Sequence, residues 1–592
     1  MLIFVLFYSV LNASKPNGTE LIIEYTLEDG DSVVDFRDVI YHDILRSNIT
    51  KITILGNFTS ISEGTFDCCE SLKSIILPDT IENISENCFA GLPSLQSIRL
   101  SPNIKVIPNY TFANCPVLTS ITLPANLEEI RHYAFLNCLL LTEIVIPAKV
   151  TSINSNSFYG CSNLARIDNQ SPNFKIINSI LYSDNALLLS PKVIKEPVVI
   201  DNNIRVIGFY SFASSNITSI RIPPNIRAIQ SYAFSLSNLS SITFDEGNNL
   251  TIFSFAFSDT ILTELHIPER ATYIGEGFLV NCDYLANFTV DENNCNYSEV
   301  NGVIYNKNKN HLFRCPPAWS EKIFVIPSHV STIAIFAFGS CKNIEKIDFG
   351  NSTITEIPNH CFAFCYSLSE MNIPFSVNTL KNCSFMNCTS LTYLRIHFNI
   401  TAILGNPVVG CTNLGSIDVD ENNTNFAYSS DSLAVYSKNM SIIYFGLPTS
   451  PYILLINETK VMPFAYYRYH ALMLVFMRTD KIDYIGEYAF SSCPALTDIV
   501  FCGEEIEYLG ENAFDKKEIR VRLNNFRLSF GDSNTTRMMD IPCQNAIISY
   551  DIATLQKLQT GENVLIVYFI VVAVGVISTI IYYCKWVRPN FV

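Results

Sequence analysis

The chain has 592 residues, 48% of them hydrophobic and 16% charged, a balance that excludes a disordered chain and supplies ample material for a core. Its 55 Asp and Glu residues outnumber 39 Lys and Arg residues, for a formal charge of −16. Binding nucleic acid requires a basic face that displaces counterions from phosphate, so that class of partner is excluded as well.

The chain opens with MLIFVLFYSVLNAS, an apolar run too short to span a bilayer, followed by a polar stretch. This predicts a secretory signal peptide over 1–13, cleaved near Ala13, with a buried N-terminal strand as the alternative. Residues 14–47 are expected to form an N-terminal cap. A repeat array then begins by about residue 48 and runs to 522. Phe66, Phe89, Phe112, Phe135 and Phe158 follow one another at a step of 23 residues. Length alone would suggest about four domains of ~150 residues. A fixed step in the twenties instead means one supersecondary unit per repeat, each covered by the next.

The rung from Phe112 shows the pattern in full: Leu118, Ile121, Leu123, Leu127, Ile130, then Ala134 and Phe135. Alternation at Ile121 and Leu123 predicts a short strand with one buried face. Pro78, Pro124, Pro147 and Pro374 follow that strand, and since proline has no N–H, pairing ends there. Each rung therefore reads as strand, proline turn, return segment and a bend at Ala-Phe, and stacking puts the strands in one parallel β-sheet. Further anchors are expected at Phe212, Phe234, Phe257, Phe278, Phe338, Phe362, Phe385, Val408, Phe464, Phe490 and Phe514.

Three anchor-to-anchor steps are long, and each carries an apolar-Tyr strand, a polar turn and a second apolar strand. These predict inserted β-hairpins near 170–198, 291–322 and 420–450, containing Leu181-Tyr182, Ile304-Tyr305 and Val435-Tyr436. Two follow DENN turns, Asp291 to Asn294 and Asp420 to Asn423. The turns lack the spaced ligands and glycine of a calcium loop and are read as turn chemistry, with a bound cation as the alternative.

Residues 523–563 are expected to form a C-terminal cap and juxtamembrane segment. From Val564 to Cys584 there is no charge over 21 residues, enough at ~1.5 Å per residue to cross a bilayer as a helix. Lys585 and Arg588 follow and Glu562 precedes, which predicts a single-pass type I plasma-membrane protein with an extracellular ectodomain and a tail of 585–592. The N-x-S/T sequons from Asn17 to Asn534 all precede the span and predict N-glycans on the ectodomain.

Cys69, Cys115, Cys138, Cys161, Cys341, Cys365, Cys388, Cys411 and Cys493 each sit three residues after an anchor. They read as a ladder of small buried side chains, mostly unbridged, although rungs ~4.8 Å apart do not by distance alone exclude disulfides. No catalytic motif or metal-binding spacing occurs. His360 and Cys361 are merely chain neighbours, and neither an enzyme nor a cofactor is predicted. The candidate binding face is instead the outward row of the sheet: Arg99, Thr122, Asp168, Arg221, Thr243, His266, Thr289, Asp348, Asn372, Arg395 and Asp418, one per rung. A solvated face that binds nothing is the alternative.

The rung LTSITLPANLEEIRHYAFLNC, with its L-x-x-I-x-L-P core and AF-x-x-C bend, resembles the BspA-type leucine-rich repeats of surface proteins from anaerobic bacteria and mucosal protozoan parasites. The segment VNGVIYNKNKNHLFRCP is similar to the insert that interrupts those arrays, and the resemblance covers roughly residues 48 to 515. The Asn that usually closes the strand turn in leucine-rich repeats has no fixed slot here. The resemblance implies a surface antigen or adhesin that binds a host-cell or matrix protein, a glycan or another microbe, anchored as the membrane-bound protozoan members are. A ligand-free coat protein, an ectoenzyme with a convergent site in the hairpins or caps, and a receptor ectodomain signalling through a membrane partner are the rival readings.

Overall fold

The computed structural model describes residues 49–530, apart from breaks at 67–68, 195–196, 430–432 and 448–452 and short gaps from 478 onward. Ahead of them it describes the strands Glu20–Glu24 and Val33–Val34. The expected signal peptide, the apolar run 564–584, the tail and the sequons at Asn17, Asn48 and Asn534 lie outside the described residues. The chain divides into two compact units, Met1–Ser320 with Ala334–Lys342, and Glu321–Ile333 with Asn343–Val592.

Each unit is built of stacked rungs. In the first, Glu20–Glu24, Lys51–Leu55, Ser74–Ile76 and Ser97–Arg99 pair in parallel, bringing Ile52, Ile75 and Ile98 into one buried file. Parallel pairing therefore reaches back into the segment expected to be cap. Ile144 and Ile167 continue the file in Glu143–Ile146 and Arg166–Asn169. The rung of Phe112 departs from expectation, because residues 118–125 lie outside any strand and Ile121 is only half-buried against the core. The return segment also pairs: Val106–Ile107, Glu129–Ile130 and Ser152–Ile153 form a second parallel ladder with their isoleucines in register and buried. The rungs thus build two ladders instead of the single sheet expected, the rung of Phe112 joining only the second.

The bend owes its shape to two left-handed residues, one on each side of the anchor. Tyr110 and Asn114 flank Phe112 at φ 57 and 57, and Tyr232 and Leu236 flank Phe234 at φ 59 and 58. No Val, Ile or Thr occurs among the described residues with positive φ, as expected where a branched Cβ would clash. Anchor N–H groups bond across rungs, Phe112 to the Ala134 carbonyl and Phe135 to that of Ser157, both at 2.8 Å. The anchor rings stack at centroid distances of 5.1–5.3 Å from Phe66 through Phe158.

The slot three residues after the anchor holds a small hydrogen-bond donor in most rungs, although buried Leu92 fills it after Phe89. The thiols of Cys115, Cys138 and Cys161 donate to the anchor carbonyls one rung back, Phe89, Phe112 and Phe135, at 3.1–3.2 Å. Where the slot holds Ser215, Ser237 or Thr260, the hydroxyl bonds the anchor carbonyl of its own rung at 2.6–2.9 Å. Every described cysteine is a free thiol, and all but Cys295 are buried. Burial pushes the thiols up, Cys282 to about 11 and Cys383 to about 12, so they keep the proton that they donate.

Two anchors differ from the sequence expectation. The Phe257 N–H reaches the Phe278 carbonyl at 2.9 Å, and the Cys282 thiol reaches the Phe257 carbonyl at 3.0 Å, so the anchor is Leu279 rather than Phe278. Tyr466, not Phe464, stacks on Phe490 at 5.4 Å, while Phe464 stacks on Tyr488 in the row two residues earlier. The Tyr466 hydroxyl is buried without a hydrogen-bond partner. Removing an orphaned polar group relieves its desolvation cost, so Tyr466→Phe is expected to raise stability by about 1 kcal/mol, measured by denaturant unfolding.

Antiparallel ribbons occupy the long steps: Lys175–Ile177 with Ile180–Tyr182 and Ala186–Leu189, Tyr297–Val300 with Val303–Asn306 and His311–Arg314, and Phe426–Ser429 with Ala434–Ser437 and Ile442–Gly446. Tyr182, Tyr305 and Tyr436 are buried within them. The last Asn of each DENN turn locks its ribbon to the rung before. Asn423 donates to the carbonyls of His397 and Ile400 and accepts from the N–H groups of Asn425 and Phe426, all at 2.8–3.0 Å. Asn294 makes the equivalent contacts with Pro268, Ala271, Asn296 and Tyr297.

Candidate ligand-binding face

Strand alternation sets the outward row. In the first unit it turns Arg99, Arg221 and His266 to solvent between buried neighbours, and Thr243 and Thr289 between a buried and a half-buried one. Thr122 is exposed too, although outside any strand, while Asp168 is half-buried. In the second unit Asp348, Asn372, Arg395 and Asp418 are exposed. Register makes direct neighbours of Arg221 and Thr243, of His266 and Thr289, and of Arg395 and Asp418. Arg99, Asp168 and Asp348 stand instead beside Ile76, Val145 and Val325. The face is thus less polar than the row suggests, with Val145 40% and Val325 59% exposed.

The charged members of the row are already engaged. Arg99 meets Asp79 at 2.6 Å and the Leu77 carbonyl at 2.9 Å. The Arg221 Nε donates to both carboxylate oxygens of Asp245, at 2.7 and 3.0 Å, and this bond raises the guanidinium further. Arg395 lies 3.4 Å from Asp418 and 3.3 Å from Asp420. The Asn422 N–H, aided by Arg395, holds Asp420 below the usual carboxylate range. Asp168 pairs with Arg166 at 2.6 Å, and His266 Nδ1 lies 3.0 Å from the Thr289 hydroxyl.

Sequence reasoning missed these partners. Asp245 and Asp420 each sit two residues beyond a row member, Thr243 and Asp418, and that spacing was available to find them. Asp79 comes from the turn of the preceding rung and leaves no local signal. Among the described residues no group of His, Cys, Asp and Glu is arranged to hold a metal ion. The face presents hydrogen-bonding pairs beside exposed apolar side chains.

A family model described as BspA type Leucine rich repeat region (6 copies) matches residues 44–165, 193–308, 313–432 and 457–529. No curated protein matches the sequence. Among solved structures, a leucine rich cell surface protein from Faecalibacterium prausnitzii is similar at 21% identity over 68% of this chain and 90% of its own, with a TM-score of 0.32. The pneumococcal vaccine antigen PcpA is similar at 15% identity over 82% of this chain and 90% of its own, with a TM-score of 0.37. A leucine-rich repeat protein from Bacteroides ovatus is similar at 17% identity over 85% of this chain and 97% of its own, with a TM-score of 0.31.

Proposed function

The chain belongs to the BspA-type leucine-rich repeat family, and from that premise we propose that it is a cell-surface recognition protein whose outward strand row binds a host-cell or matrix protein or a glycan. The row carries this reading: from Arg99 to Asp418 it offers side chains that packing does not need, recurring among the rungs of each unit. Its mixed signs suit a protein or carbohydrate better than a polyanion. The uncharged run 564–584 with Lys585 and Arg588 beyond it supports a single membrane span with the repeats outside. The apolar start supports a secretory signal over 1–13, and the sequons support N-glycans. The hairpin inserts interrupt the array and offer a second place for ligand contact.

A surface coat with no specific ligand is the second reading. One observation favours it: the three arginines of the row are bonded to aspartates of their own array. Cells displaying the full chain, tested against host cells and matrix proteins, separate the two. Replacing Arg99, Arg221 and Arg395 together with Ser is expected to cut adhesion severalfold while display level and melting stay unchanged, since each side chain is at the surface. An equal loss on replacing exposed ribbon residues moves the site to the inserts. Adhesion absent from the wild-type chain sinks the recognition reading and leaves the coat.

A further inference from the structure

A second row runs along the bends of the first unit, two residues before the anchors. Tyr110, Tyr133, Tyr210, Tyr232 and Phe255 occupy it; the rung of Phe158 has Asn156 at that position, and Tyr159, one residue after the anchor, brings its ring to Tyr210 instead. The rings touch in sequence. Tyr110 and Tyr133 stack at 5.1 Å, Tyr133 meets Tyr210 edge-on at 6.1 Å, and Tyr210 stacks on Tyr232 at 4.9 Å. Tyr159 and Tyr210 are closest, with centroids 4.0 Å apart and planes inclined by 37°. The ring faces cover one another, so they are not free to stack on a ligand. Contact between phenols is, however, the geometry in which two tyrosines couple.

We propose that Tyr159 and Tyr210 form an oxidative cross-linking site, a substrate for a haem peroxidase using hydrogen peroxide. Each phenol gives up one electron and one proton. The two phenoxyl radicals pair their unpaired electrons in one bond between ring carbons ortho to the oxygens. The two ortho hydrogens then move to those oxygens, restoring both aromatic rings. Peroxide takes the two electrons and two protons and leaves as two waters, so the protein loses two hydrogen atoms. Tyr110, 37% exposed, is the point of entry, and contact through Tyr133 carries the radical to Tyr210. Burial, then the hydrogen bond with Tyr133, push the Tyr210 phenol up, so its proton leaves together with the electron. Tyr159–Tyr210 is favoured over the parallel pair Tyr210–Tyr232 because its ring centroids are nearer, 4.0 against 4.9 Å. The new bond would join the rung of Phe158 to that of Phe212 across the first ribbon.

The full-length protein is treated with peroxidase and hydrogen peroxide, freed of N-glycans, digested with trypsin and analysed by mass spectrometry. The expected product joins the peptide 150–166 to the peptide 206–221, two hydrogens lighter than their sum, with dityrosine fluorescence and a yield independent of protein concentration. Tyr159→Phe removes this product and leaves the circular dichroism spectrum unchanged. Should that variant not fold, Tyr210→Phe is read the same way. The proposal is overturned if the joined peptide is absent from the wild type, if its yield rises with protein concentration, or if Tyr210–Tyr232 is the dominant product.

Discussion

Ile144→Asp is expected to open the array at its own rung. Ile144 is 1% exposed and paired in register with Ile167, inside the file of strand residues that fills the core. Burying its side chain is worth roughly 1.5–3 kcal/mol, and an unpaired carboxylate in the same place costs several kcal/mol more. A solenoid rung contacts chiefly its neighbours, so the damage is local: limited proteolysis of the full chain should gain cuts at Lys149 and Arg166 before elsewhere. Val145→Asp is the control. One residue along, its side chain points outward, and an exposed substitution of this kind shifts stability by about 0.5 kcal/mol or less. Equal behaviour of the two variants would mean that the strand register is wrong.

That contrast between neighbours is also why so much of the fold was legible. Period-two alternation at Ile144 and Ile146 and the return of an aromatic at Phe135 and Phe158 are local patterns, and the stack repeats them until chance is excluded. What escaped was decided by contacts between rungs. Phe278-Leu279 offers two apolar side chains for one slot, and only the carbonyl that meets the Phe257 N–H separates them. Phe464 and Tyr466 compete in the same way, and the winner is the ring that lands on Phe490. The thiol ladder was visible as spacing, but its purpose was not, because the acceptor of the Cys161 thiol is the Phe135 carbonyl on the rung before.

The binding row was legible for the same reason as the strands, and its chemistry was not. Alternation told which way Arg99, Arg221 and Arg395 point. Whether their donors are spent depends on Asp79, Asp245 and Asp420, which come from neighbouring turns or rungs. The ion pairs bear on function directly. A ligand that recruits these guanidinium groups must compete with an aspartate already held there, so it gains less from each contact than an unpaired arginine would give. Val145 and Val325 carry no such cost, and a ligand using the face gains from covering them along with the charged pairs.

Arg314→Met is expected to destabilise the first unit by several kcal/mol. Arg314 lies in the strand His311–Arg314 and is 1% exposed. Its Nη2 donates to the carbonyls of Leu279 and Gly339 at 2.7 and 2.8 Å, and its Nη1 donates to the carbonyl of Phe336. Among the described ion pairs it has no carboxylate partner, so its charge is balanced by carbonyl dipoles from three parts of one unit. Methionine has similar length and no donor. It would leave the Leu279 and Gly339 carbonyls unpaired at about 1–3 kcal/mol each, while that of Phe336 keeps the Gly339 N–H at 2.9 Å, and better apolar packing does not offset the loss. Arg314→Lys should fall in between, because one ammonium cannot reproduce the planar fork that spans the three oxygens. Thermal unfolding of the full chain checks the order wild type, lysine, methionine. A methionine variant that melts with the wild type would mean that water reaches these carbonyls, and that the guanidinium is a passenger of the ribbon instead of the clamp that ties it to the bend at Leu279.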